Sequence, residues 1–254
     1  MRKTIFLLPV GVLIMFLSVM GMVNVNARNQ YTVEYYQEIS HEIRSTEESI
    51  SKKQSADLPD YENDFENVKS SEEDVFENNL EVNSVIYDDY LYINNTDICY
   101  PLVQGDDNSY YLNHLPDGRK SASGSIFIDY QNDFPEDFNV IIYGHNMRNG
   151  TMFGKLWYYF NYRNYAEEHN RLVISYNGAR YLYELVGVQR VEYDSDVYEI
   201  DPADKEDWIA AWKLHSVVNL DTDPTIEDSF ITLSTCGRTD TEKVITVWKR
   251  LLEE

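Results

Sequence analysis

The sequence predicts a mainly β protein with short helices, folded as a closed mixed β-barrel behind an N-terminal helical extension and a membrane anchor. Three observations carry that expectation. Beyond Leu80 short β-type runs alternate with turn signals, one Asn-Gly pair marks a tight hairpin, and only two later stretches have helical spacing. With 254 residues, 43% hydrophobic content, 11 Gly, 7 Pro and 2 Cys, the chain can bury one core and still carry appendages. Collagen-like, wholly disordered and disulfide-framework architectures are excluded. A formal net charge of -23 repels polyanions over most of the surface, so nucleic acid is not an expected partner.

The first element is the apolar run Ile5–Val23, uncharged throughout and close to the ~20 residues that cross a bilayer. Arg2 and Lys3 precede it, so positive-inside bias keeps the short tail in the cytoplasm and sends the rest outward. A signal peptide is the competing reading, because Val25-Asn26-Ala27 resembles a cleavage site, but the run exceeds the usual ~7–15 residue signal core. Residues 1–27 are therefore read as the anchor, or as a signal peptide, with the bulk of the chain extracytoplasmic.

Residues 28–79 are acidic and Ser-rich, as in Ser45-Thr-Glu-Glu-Ser49 and Ser70-Ser-Glu-Glu-Asp74, and read as a spacer. Within them Tyr36, Ile39, Ile43 and Ile50 recur at near-helical spacing, which predicts an amphipathic helix over Val33–Ile50 that packs on the domain. Pro59 ends any longer helix. Residues 80–254 form the folded domain. Ser125–Ile128, Val140–Tyr143, Leu172–Tyr176 and Phe230–Leu233 read as strands, and Asn177-Gly178 joins Leu172–Tyr176 to Ala179–Val188 as a hairpin. Met152–Tyr162 and Asp204–His215 read as helices outside the sheet, the second with Trp208, Ala211, Trp212 and His215 on one side. Seven or eight strands with two helical insertions in this length point to the barrel.

Cys236 is the first chemical candidate. It ends the run Ile231–Cys236 before the turn-forming Gly237, and Arg238 and Lys243 supply nearby positive charge of the kind that lowers a thiol pKa. The plain alternative is a buried thiol finishing a strand, which is also the reading for Cys99 in Ile98-Cys99-Tyr100. The strand Val140–Tyr143 runs into Gly144-His145-Asn146 and delivers an imidazole to a second strand end. A lone histidine is commonly structural, yet a cysteine and a histidine on two strand ends can converge as nucleophile and acid/base partner.

Tyr100-Pro-Leu-Val-Gln-Gly105, Asp107–Leu112, Gly124–Asn132, Asn139–Met147, Met152–Leu156 and Thr232–Cys236 follow one another as blocks. In that order they resemble the sortases, and among them class B, the membrane-anchored cysteine transpeptidases of Gram-positive surfaces. The resemblance covers Leu80 to about Leu251 and implies a sortase-type barrel. It further implies that Cys236 attacks a peptide carbonyl after a Thr in a C-terminal sorting signal, that His145 handles the proton, and that an amine resolves the thioester. The implied partners are a surface protein bearing that signal and a cell-wall precursor amine, or a pilin lysine.

The family carries an arginine early in the last strand, whereas Lys243 precedes Val244–Trp248 here and Arg238 lies two residues after Cys236. Lysine keeps the charge but lacks the planar fork. Three readings stand together: Lys243 substitutes, Arg238 reaches in from the loop, or the chain is a less active member or a surface binding module that retains the barrel. The resemblance also places Asn108, Leu112 and Ser234 around the peptide groove, where a turn, a core and a strand role are their plain alternatives. His41, His114, His169 and His215 are isolated and no phosphate loop is present, so no metal and no cofactor is expected.

Overall fold

The computed structural model describes residues 7–56, 87–218, 220, 222–236 and 241–251, with the backbone alone at 7–19, 21–29, 54–56 and 236. Eight strands form the core: β1 (Tyr90–Ile93), β2 (Cys99–Gln104), β3 (Ile126–Ile128), β4 (Asn139–Tyr143), β5 (Arg171–Tyr176), β6 (Ala179–Glu192), β7 (Phe230–Cys236) and β8 (Glu242–Arg250). They close in the order β1-β2-β3-β4-β7-β8-β6-β5, with β1 pairing back onto β5. β2–β3 and β4–β7 are parallel and the remaining pairs antiparallel, so the barrel is mixed, as expected.

Alternation along the strands fills the interior. Ile231, Leu233, Val244 and Trp248 share one buried cluster with Leu91, Leu102, Ile126, Val140 and Leu172. The hairpin turn forms where expected: Tyr176 pairs with Ala179, and Asn177 and Gly178 take φ of 51° and 76°, the left-handed pair of a type I′ turn.

The helices are α1 (Leu7–Ala56), α2 (Leu156–Asn161), α3 (Arg163–Glu168) and α4 (Lys205–His215). The helix expected over Val33–Ile50 lies within α1. Its Tyr36, Ile39 and Ile43 are buried, the last two against Tyr90 and Cys99, while Tyr36 meets Tyr100 edge-on at 5.3 Å. Glu47 accepts from the Tyr90 hydroxyl at 2.7 Å and pairs with Arg180 at 2.7 Å, which satisfies a carboxylate buried under the helix. Residues 28–56 are thus helical through to a packed face, and 57–86 lie outside the described residues. Leu7–Val23 of the apolar run Ile5–Val23 fall at the start of α1, where all side chains but that of Met20 lie outside the described residues, as do Ile5 and Phe6 altogether. Among the described residues no helix is long and apolar enough to cross a membrane.

Two helical expectations shift. Met152–Gly154 form a turn and not the first turn of a helix, because Met152 sits at φ 55° and bridges to Asn146. Helix begins at Leu156, and Met152, Phe153, Leu156 and Tyr159 join the barrel's core cluster. In α4 the buried face is Trp208, Ile209 and Trp212, with Ala211 and His215 exposed. The Asp204 carboxylate caps that helix by accepting from the Asp207 amide at 2.9 Å. Gly187 of β6 makes room for the Trp212 ring: a Cβ there would lie 2.7 Å from it.

Candidate active site

Three neighbouring strands, β4, β7 and β8, bring the sequence-predicted groups together. Tyr143 is in register with Ser234, and the pairing runs on past the end of β4. The Gly144 amide donates to the Ser234 carbonyl at 3.1 Å, and the Thr235 hydroxyl donates to the Gly144 carbonyl at 2.8 Å. His145 therefore follows at the level of Cys236, and on the other side Cys236 is in register with Lys243. Residues distant in sequence thus meet in one row at one end of the barrel.

Gly144 is required in that row. A Cβ would fall 2.4 Å from Ile126 Cδ1 and 2.6 Å from the Phe153 ring, both deep in the core. The His145 carbonyl accepts from the Phe153 amide at 3.0 Å, which ties the backbone of the histidine to the turn that plugs the barrel.

The imidazole is half-buried, with Nε2 2.6 Å from the Leu112 main-chain oxygen. A carbonyl can only accept, so Nε2 carries the hydrogen and Nδ1 is the acceptor of the neutral ring. Leu112 ends a short 3-10 turn, Tyr110–Leu112, and its side chain is exposed. Asn108 is half-buried and engaged at both ends of its amide. It donates to Asp129 at 2.7 Å and accepts from the Tyr130 amide at 3.0 Å, pinning this loop to the end of β3. Asp129, itself buried, also accepts from the Tyr143 hydroxyl at 2.9 Å. Burial and then the Asp129 charge push the Tyr143 phenol well above its ordinary range, so it acts as a fixed donor.

Ser234 is buried, and its hydroxyl meets that of Tyr198 at 2.8 Å. Of the three groove residues expected, Leu112 alone presents an exposed side chain. Lys243 is half-buried, opposite Cys236 on one side and Val191 of β6 on the other. Glu242, beside it, pairs with Arg190 at 2.9 Å. Arg238 lies outside the described residues. A cleft of about 880 Å³ opens between the end of β6, the turn Asp196–Tyr198 and α4; it carries Glu192, Asp196 and Asp207 among its lining groups, and neither His145 nor Lys243 lines it. No cluster of three or more metal-binding side chains occurs among the described residues.

Sequence reasoning missed the Asp129–Tyr143–Asn108 network, the Tyr198 cover and the Leu112 carbonyl. Tyr143 and Asp129 lie inside recognisable blocks, yet nothing in a sequence tells which polar side chains meet. A main-chain acceptor has no sequence signature at all.

The fold and the site together define a closed mixed barrel that carries a histidine and a cysteine on adjacent parallel strand ends, a pairing suited to nucleophilic chemistry. A family profile described as the Sortase domain matches residues 91–251, and the chain belongs to the sortase family, class B. Sortase B of Listeria monocytogenes is 38% identical over 161 residues, covering 61% of this chain and 63% of that protein, so the chain spans under two thirds of that relative's length. Sortase B of Staphylococcus aureus is 27% identical over 170 residues, 65% of this chain and 69% of that protein. Among solved structures, Clostridium perfringens sortase B superposes with a TM-score of 0.60 at 30% identity, over 65% of this chain and 93% of that one. A Staphylococcus aureus sortase B–substrate complex gives 0.61 at 26% identity, over 65% and 80%.

Proposed function

We propose that this chain cleaves a C-terminal sorting signal after a threonine, holds the acyl group as a thioester on Cys236, and passes it to an amine of a cell-wall precursor. The observation that carries the reading is the row His145–Cys236–Lys243 across β4, β7 and β8. The Cys236 thiol passes its proton to Nδ1 of His145, the thiolate attacks the carbonyl carbon, and the oxyanion forms next to a cation. As the C–N bond breaks, the His145 imidazolium gives its proton to the departing amine. The incoming amine then attacks the thioester carbonyl, His145 takes its proton, and the thiolate leaves.

Lys243 is the oxyanion donor in this reading, because its register places it opposite the nucleophile, with Arg238 as the alternative. The N-terminal apolar run anchors the chain in the cell membrane with the catalytic domain outside. A second reading, a catalytically weak peptide-binding module, is favoured by lysine standing where the family carries arginine. A third has a pilin lysine as the acceptor. The test offers the protein an N-P-x-T-x type peptide with triglycine, or with a lysine-bearing pilin segment. Peptide joined to triglycine supports the reading, joining to the lysine alone supports pilin polymerisation, and binding without any thioester supports the module.

A further inference from the structure

The hold on the His145 ring extends backwards, residue by residue, to the N-terminal helix. Its acceptor, the Leu112 carbonyl, ends a turn of three residues whose Tyr110 and Leu112 side chains are exposed and whose start alone is pinned to the end of β3, through Asn108. Its far end, on either side of Leu112, is held by the loop 121–125 lying behind. The Ser121 amide donates to the Asn113 carbonyl at 3.0 Å and the Ser125 amide to the Tyr111 carbonyl at 2.9 Å, one on each side of Leu112. Between them Gly124, at φ +56°, lies against the Leu112 carbonyl so closely that a Cβ would be 2.6 Å from its oxygen.

That loop is in turn held by α1. The buried Tyr36 hydroxyl donates to the Gly124 carbonyl at 2.6 Å, and the Thr32 hydroxyl, one helical turn earlier, meets the Ser121 hydroxyl at 3.2 Å. Tyr36 is further locked by its edge-on contact with Tyr100.

We propose that α1 positions the acid/base histidine through this relay: Thr32 and Tyr36 fix loop 121–125, the loop fixes the Leu112 carbonyl, and the carbonyl fixes the ring with Nδ1 as its free nitrogen. The inference rests on the reading of His145 as the acid/base group. A base oriented by a third group is a general requirement of nucleophile–base pairs, and here that group is a neutral main-chain oxygen whose own position depends on a helix packed on β1 and β2. Tyr36 and Thr32 are positioning residues and touch neither peptide nor thiol.

The experiment uses the full chain in detergent micelles, 15N-labelled at histidine. It compares the wild type with Tyr36→Phe, with Thr32→Ala/Tyr36→Phe, and with Tyr35→Phe. The last removes the hydroxyl that meets Tyr87 from the same helix but leaves loop 121–125 untouched. The readouts are protection of the His145 Hε2 proton from solvent exchange, kcat and KM on a sorting peptide, and the thermal midpoint.

Tyr36→Phe should lose Hε2 protection and lower kcat by roughly 3- to 10-fold with KM unchanged, as expected for one displaced hydrogen bond. The double variant should lose more, and Tyr35→Phe should keep both properties whatever its thermal midpoint. Retained Hε2 protection in the double variant would overturn the relay, as would an equal fall in kcat for Tyr35→Phe. If the wild type turns over no sorting peptide, the functional reading of His145 fails, and the Hε2 comparison alone still decides the relay.

Discussion

Cys99 shows how little a thiol means without its surroundings. It is fully buried between α1 and β1, its sulfur 3.6 Å from the Ser40 carbonyl, and burial pushes its pKa from 9.0 up to about 11. Native protein treated with iodoacetamide at pH 8 should leave Cys99 unmodified, and peptide mapping should find that thiol labelled only in denaturant. The sign of its pH effect follows from the folded value lying above the unfolded one. Below about pH 9 the thiol is protonated in both states and its contribution is constant. Between about 9 and 11 the unfolded chain loses the proton first, so stability falls with pH by up to ~1.4 kcal/mol per unit. Urea midpoints measured across that window should decline less steeply in Cys99→Ala. In the row His145–Cys236–Lys243, Lys243→Ala should lower kcat by about 10²–10³ if it is the proposed oxyanion donor, with Lys243→Arg retaining activity. Arg238→Ala showing that loss in its place would move the role to the loop. Gly144 and His145 were legible side by side as a strand end. The reason for the glycine, Ile126 and Phe153 beneath it, was not.

At the scale of elements, short-range signals survived folding and long-range ones did not exist to be read. The Asn177-Gly178 turn is decided within a few residues and forms where the sequence implies; the Asp204 cap is as local, but Asp204 reads in the sequence only as the first residue of a helix and the structure puts it just before one. β2 carries Pro101 in its interior, a residue that argues against a central strand, and neither β1 nor β2 stands out as a strand in the sequence. The barrel places β2 between an antiparallel and a parallel neighbour nonetheless. The helical spacing in Met152–Tyr162 could not reveal that Met152 would take a left-handed conformation to drop the plug into the core. α4 is the element whose packing is most exposed to a single change. Gly187→Ala would drive a methyl against the rigid Trp212 ring, and overpacking of that kind costs about 1–3 kcal/mol. An unfolding free energy from chemical denaturation lowered by that amount is the expected result, and Trp212→Leu in the same background should recover part of it.

Over the whole molecule, the order of the motifs along the chain was legible and their meeting was not. β4 and β7 are parallel neighbours joined through the whole of β5, β6 and α4, so only the closed topology puts His145 beside Cys236. The same closure gives Lys243 its place, since β8 returns antiparallel on β7. A helix that begins in the N-terminal apolar run also touches the loop behind the histidine, so the chain's extension and its chemistry belong to one framework. The proposed chemistry comes down to Cys236 carrying an acyl group from a sorting peptide to an amine. It is tested most directly by intact-mass spectrometry of the full chain incubated with an N-P-x-T-x type peptide, before and after adding triglycine. A mass increase equal to the acyl fragment, localised to Cys236 and absent in Cys236→Ala, should form and then disappear as peptide–triglycine product accumulates. No adduct across several sorting peptides that the protein demonstrably binds would contradict it.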